Sequence, residues 1–500
     1  MSRPSFVLVA LGCLAGLAWP CALRSSAAVN APAPAPSFAT GDHVVLSWND
    51  LGMHCMNLSH QRLSVLPPFN NLFAQVIRRG DANTAPFLAP AGVSVEYSFP
   101  GNTTSATKVD FWTWAPQLFG VSLPPDIGLT GKGLSGSLDP EGAHFVARGI
   151  PLTPFPDATP GVEDPYQRAL VIARDPQGAE LGRSAPVVPV SIEMGCVSAG
   201  CHSSETAILD SHERVTGFDP AATPILCGGC HADPALGTTG RQDAGYFSFR
   251  MHDQHKFLDE QLSGTAECYT CHPGNVAKCL RGAMQDKWGL TCQDCHGNMV
   301  AMSNGIENGR VPWVNEPSCR QCHAARFGEP SGTLFRNSAG HGGVMCEGCH
   351  NSTHADVPSR VAADNANIVA LQDRSAPLGD CRVCHRVNPD GPGPHGMLAN
   401  VGVGGELLAG AAPMRVRPNP MGRTCTVEFA TTAPARGRLV VYDMQGRIVR
   451  LLRPAPASAN VARATWDGVN QHGVRAAAGV YFVCWLDGEQ RAGTRVVLMR

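Results

Sequence analysis

Residues 340–356 read GHGGVMCEGCHNSTHAD, and the run Cys346-Glu347-Gly348-Cys349-His350 within them decides how the middle of the chain is built. Two thiols held at this spacing can add to the two vinyl groups on one edge of a haem and form thioethers. The imidazole of the next residue then reaches the iron. The same C-x-x-C-H spacing returns five times: Cys227, Cys230 and His231; Cys268, Cys271 and His272; Cys292, Cys295 and His296; Cys319, Cys322 and His323; Cys381, Cys384 and His385. Chance at this composition would supply roughly 0.03 copies, whereas six are present. A seventh, longer version runs from Cys196 to Cys201 and His202, with four residues between its cysteines. Paired Cys and His also build tetrahedral zinc sites, and an even number of Cys suits a disulfide framework. Neither explains a His placed directly after the second Cys every time. Covalently bound haem c is the cofactor that the spacing implies, with the motif His as proximal iron ligands.

The sixth coordination position separates a wire from an enzyme, because an iron with two strong axial ligands leaves no room for substrate. Six histidines near the motifs lie outside them: His212, His252, His255, His341, His354 and His395. His341 stands five residues before Cys346, and His354 four after His350. His252 and His255 share one face of an expected helix and could serve two adjacent haems. A seventh distal ligand has to come from upstream, where His43, His54, His60 and His144 lie. The choice is His54, in Asp50-Leu51-Gly52-Met53-His54-Cys55, with Met53, Met56 or Met194 as substitutes.

Composition agrees with a cofactor-filled protein. The chain has 500 residues, too many for one core. It carries 54 Gly and 40 Pro but only 6% aromatic residues, so much of the backbone is expected to be irregular. Lys and Arg total 39 against 41 Asp and Glu, so there is no basic excess and nucleic acid is not an expected partner. Residues 193–400 would have about 30 residues per haem, which makes the porphyrins the core, with Tyr246, Phe247, Phe249, Trp288 and Trp313 packed among them.

The rest of the chain divides around that segment. Arg3, the apolar run Phe6–Ala18 and the small residues Ser26-Ala27-Ala28 read as a secretory leader over 1–28, which removes Cys13 and Cys21. Residues 29–40 are a Pro/Ala linker. Alternating runs such as 93–97 and 169–172, set between turn residues, make 41–192 a β-rich domain. A Gly/Ala linker over 401–413 leads to a second β domain at 414–500. The expected fold class is multidomain: a β-rich domain, a largely irregular haem-packed domain with short helices, and a C-terminal β-sandwich. Four Cys remain. Cys425 and Cys484 are read as inward residues of their strands, either disulfide-bonded or as two buried thiols, and Cys55 could bridge to Cys279.

The motif region resembles the exported multihaem c-type cytochromes of anaerobic respiratory and metal-reducing bacteria. In the small tetrahaem class of such proteins C-x4-C-H also binds haem, which implies that Cys196, Cys201 and His202 hold one here and brings the count to seven. The tail resembles the Ig-like sandwich of flagellar hook-cap proteins and type IX secretion sorting domains. Its landmarks are Pro418-Asn419-Pro420, residues 441–447 (VYDMQGR), Trp466-Asp467-Gly468, Gly479-Val480-Tyr481-Phe482 and 495–500 (RVVLMR). That resemblance implies display at the cell surface. The expected function is electron transfer outside the cytoplasm, with other redox proteins, further copies of the chain or extracellular electron acceptors as partners. The competing expectation is an oxidoreductase acting on nitrogen or sulfur oxyanions at one haem without a distal ligand. The C-x-x-C-K motif typical of multihaem nitrite reductases does not occur.

Overall fold

The computed structural model describes residues 41–396, apart from 82, 213, 324, 326, 387 and 390–392, and residues 414–499, apart from 432–437, 444–447, 459–460, 472 and 488–489. The expected leader, with Cys13 and Cys21, and both linkers lie outside the described residues. The chain divides into two compact units, 1–399 and 400–500.

Two antiparallel sheets form the first part of the first unit. One carries His43–Trp48, Asn70–Arg78, His144–Ile150 and Asp139–Glu141 in that spatial order. The other carries Glu180–Ser184, Leu170–Arg174, Ser94–Ser98 and Ser135–Ser137. Alternate residues of each supply the shared core: Leu72, Ala74 and Val76 from one, and Val95, Tyr97, Val171 and Ala173 from the other, all buried. The strands expected over 93–97 and 169–172 begin one residue later, an ordinary shift at strand ends.

His43–Trp48 is apolar on both faces. Val45 points into the sheet-on-sheet core, while Val44, Leu46 and Trp48 point outward and pack with Ile77, Leu371 and Val383. Val383 lies inside the Cys381–His385 motif, so the outer face of this sheet supports the Cys/His-rich segment. The β-rich and motif-bearing stretches therefore share one compact unit across the boundary read at Ile192. One short parallel pairing adds to the joint, Leu63–Ser64 with Ile225–Leu226, while His54–Cys55 pairs with Val190–Ser191 just before it.

From Glu193 onward the backbone turns to short helices, the longest described one being Ala362–Gln372. Its buried apolar residues are aliphatic, such as Leu209, Leu258, Leu280, Ile306 and Ile368. Trp288 and Trp313 are 51% and 41% exposed by protein atoms alone. No described helix is long and apolar enough to cross a membrane.

The second unit is a pair of four-stranded antiparallel sheets. One runs Arg415–Arg417, Cys425–Ala430, Val461–Trp466, Ala455–Ser458, and the other Ile448–Leu452, Arg438–Tyr442, Gly479–Asp487, Gln490–Leu498. Phe429 of the first sheet meets Trp485 of the second with ring centroids 4.8 Å apart, and Trp466 meets Tyr481 at 5.0 Å. Cys425 is buried in this core, but Cys484 is not on the core side of its strand: Tyr481, Val483 and Trp485 are. Both faces of Gly479–Asp487 are apolar, and in a strand a one-residue error in parity moves a side chain to the opposite face. The two sulfurs lie on different sides of their sheets, and both thiols are free. Unfolding the protein without reductant and alkylating it should label Cys425 and Cys484 alike. Recovery of a peptide pair joined through them would contradict the observed strand parity.

Candidate metal centres

Each C-x-x-C-H motif occupies about one helical turn. The amide of the His donates to the carbonyl of the first Cys at 2.9 Å in the His231, His272 and His323 motifs and at 2.8 Å in the His385 motif. Cys292–His296 and Cys346–His350 are complete short helices. A single turn brings both thiols of a motif to one edge and the imidazole beside them. The longer motif keeps the same closure, with His202 N–H donating to Cys196 O at 3.1 Å, so its two extra residues are looped out between fixed ends. Of its two thiols Cys196 is half-buried and Cys201 exposed.

The Cys227–Cys230 turn departs from the uniform pattern that the spacing suggests. Its helix stops at Cys230, and His231 is already extended, with φ −89° and ψ 131°. The carbonyl of Cys230, left over at that early end, accepts from Arg241 N–H at 2.6 Å, so the following loop closes the turn from outside. Cys230 remains a free, half-buried thiol beside Cys227, as a haem edge requires.

The motif histidines are met by the spare ones. Ring centroids are 6.2 Å apart for His202 and His255, 6.3 Å for His231 and His212, and 6.5 Å for His272 and His252. They are 6.2 Å apart for His296 and His354, 5.9 Å for His350 and His395, and 6.1 Å for His385 and His341. Two imidazole nitrogens on opposite sides of one metal, each about 2 Å from it and with ring centres about 1 Å behind, put those centres roughly 6 Å apart. All six spare histidines near the motifs are thus paired, each with a different motif His. Among the described residues no second His faces His323.

Backbone carbonyls set the tautomers. His252 Nδ1 lies 2.7 Å from Ser248 O, His255 Nδ1 2.7 Å from Met251 O, and His212 Nδ1 3.2 Å from Ile208 O, each one helical turn back. His354 Nδ1 lies 2.9 Å from Leu51 O and His231 Nδ1 3.2 Å from Ala244 O. A carbonyl only accepts, so Nδ1 carries the proton and Nε2 keeps a free lone pair, as iron ligation requires. Burial also lowers the imidazole pKa values, to about 4 for His272, His296 and His350, and downward for His231, His252, His354 and His385. Neutral rings are the ligating form.

His54 is not brought to a motif. Its Nε2 hydrogen-bonds to Asp50 Oδ1 at 3.0 Å, and Asp50 also accepts from Asn71. His60 is bound to Ser64 and set edge-on to Phe111, while His144 lies by Phe73 and Glu141. Met56 is fully buried in the β core. Cys55 and Cys279 are half-buried free thiols, and desolvation raises both pKa values, that of Cys279 to about 11.

The residues around His54 nevertheless serve the site by holding His354. Leu51 O orients the His354 ring, and Gly52 O accepts from Arg281. Arg281 forms a two-point ion pair with Asp364, at 2.7 and 2.9 Å, with both side chains 1% exposed. Its backbone N–H donates to His354 O at 2.8 Å, and Tyr166 lies 5.0 Å beneath its guanidinium. Sequence reading missed Arg281 and Asp364. Neither belongs to a motif, and their 83-residue separation hides the pair.

The residues present fit haem c: thiols on one edge of a helical turn, a proximal His beside them, and a second imidazole at the spacing of two ligands on one iron. They do not fit zinc, since among the described residues no three or more His, Cys, Asp or Glu gather at a metal-sized site. The family model for cytochrome c554 and c-prime matches residues 299–351, which include the His323 and His350 motifs. That match supports a c-type cytochrome with covalent haem and an electron-transfer role. No curated protein matches the chain. Two solved structures overlap 18% of it: PorZ, an essential bacterial surface component of the type-IX secretion system of human oral-microbiomic Porphyromonas gingivalis, at 22% identity, and dimeric latent PorU from Porphyromonas gingivalis, at 17%. The overlap spans 13% and 9% of those chains, with a TM-score of 0.15 for each, too slight to bear on function.

Proposed function

We propose that this chain, with its cytochrome c554-like segment, is an exported carrier of seven covalent haems that passes electrons outside the cytoplasm. The six proximal-distal histidine pairs carry the reading, since two strong ligands per iron favour electron exchange over substrate binding. Haem iron cycling between ferric and ferrous states supplies the chemistry. The protein's own residues do the rest: the Cys pairs fix each ring by one edge, the carbonyl-anchored imidazoles hold the axial direction, and burial favours the neutral, ligating form of His272, His296 and His350. The leader-like N-terminus and sorting-like tail landmarks support delivery to the cell surface. Partners of the matching chemistry are other redox proteins, further copies of the chain and extracellular electron acceptors.

A second reading rests on His323, which has no facing His among the described residues. An iron held there with an accessible sixth position would make the protein a reductase of nitrogen or sulfur oxyanions. One experiment weighs both readings. A pyridine haemochrome assay should give seven haems per chain, and electron paramagnetic resonance of the oxidised protein six low-spin irons. A seventh low-spin iron, indifferent to added nitrite, leaves the carrier alone. A seventh high-spin iron that shifts with nitrite or hydroxylamine adds the reductase. Colourless protein, or protein holding zinc, would overturn both.

A further inference from the structure

The way the motifs touch one another sets an electron path. The helix Phe247–His255 gives His255 to the His202 motif and His252 to the His272 motif, so those two centres take their distal ligands from adjacent turns. Gly195 N–H also donates to Cys271 O at 3.1 Å. The His231 motif joins on the other side of the His202 motif, because its partner His212 comes just after the helix Glu205–Asp210, which begins three residues after His202. The next step runs from the His272 motif to the His296 motif, where Gly264 N–H donates to Gln293 Oε1 at 3.2 Å.

The segment 350–354 makes the following step. It supplies His350 to its own motif and His354 to the His296 motif. From there Leu378 N–H donates to Cys349 O at 2.9 Å, and His341, just upstream of Cys346, faces His385.

We infer that the six paired centres lie in single file in the order His231, His202, His272, His296, His350, His385. The inference rests on the haem reading above and adds what that reading leaves open. The file has two ends, at His231 and His385, where partner redox proteins exchange electrons. Chain order and spatial order differ, since the His202 motif comes first in sequence but second in the file.

Methionine in place of a distal His raises the potential of that one haem, so the first electron added is trapped there. With the trap reduced and diamagnetic, each remaining ferric haem in direct contact loses its magnetic splitting from that site. We expect His341→Met, at one end, to release one neighbour among the paired haems, and His354→Met, inside the file, to release two. A raised-potential haem that releases several neighbours in His341→Met, or only one in His354→Met, would overturn the order while leaving the ligand reading intact. Variants with seven haems but no raised-potential haem would overturn the ligand reading instead. Should either variant lose haem on maturation, stepwise reduction of the unaltered protein gives the same test from the splittings: among the six paired haems two low-spin signals with a single paired neighbour are expected, and a different number sinks the order.

Discussion

Asp364→Ala is expected to lower the stability of the first unit by roughly 3–5 kcal/mol, because it strands the Arg281 charge in the interior. The guanidinium is 1% exposed. Burial opposes its charge, and Asp364 more than offsets that opposition, leaving its pKa raised. Asp364 also accepts from Ser359 Oγ at 2.7 Å, so alanine removes three hydrogen bonds at once. The loss should be visible at the iron as well. Arg281 N–H and Gly282 N–H donate to His354 O at 2.8 and 3.1 Å, and Arg281 Nη1 reaches Gly52 O beside Leu51, the residue that orients the His354 ring. A looser Arg281 therefore loosens one distal ligand on both sides. Chemical unfolding should show the destabilisation, and the low-spin signal of the His296 centre should broaden before the others. The paired replacement Arg281→Met with Asp364→Leu removes both charges and should recover most of the stability. A cost below about 1 kcal/mol for Asp364→Ala would mean that water reaches the pair.

The sequence made some of this legible and hid the rest for identifiable reasons. The Cys and His of each motif are local, so their spacing alone shows the helical turn and the haem edge. It does not show where each turn ends, which at Cys230 is set by Arg241 from a later loop. The alternation in Val93–Tyr97 and in Cys425–Phe429 likewise exposes strands whose two faces differ. Parity fails at Gly479–Asp487, where Tyr481, Phe482, Cys484 and Trp485 make both faces apolar. The distal set was recognisable as a set, because a His near a haem-binding run has few other uses. Its pairing was not: His354 serves His296 rather than its close neighbour His350, and His395 serves His350. Iron joins segments that only the tertiary fold brings together. For His54 a local signal was available, since Asp50 lies one helical turn's length upstream and satisfies its ring.

Alanine at each of the six paired histidines therefore makes the largest change expected at the irons, and His54→Ala is the control. Removing His212, His252, His255, His341, His354 or His395 takes one strong axial ligand from one iron and leaves its proximal His and thioethers in place. Each variant should keep all its haem and convert one low-spin iron to high spin in the oxidised protein. His54→Ala should leave the low-spin count unchanged. Its cost falls on Asp50, a buried carboxylate that loses one partner but keeps Asn71, worth about 1–3 kcal/mol of stability. The separation between the two kinds of result follows from geometry: a ring centroid near 6 Å from a motif imidazole is in place to share its iron, whereas the His54 ring is tied by Nε2 to Asp50 and is set against no motif imidazole among the described residues. If His54→Ala produced a high-spin iron while His395→Ala did not, the assignment of the distal ligands by ring pairing would be wrong.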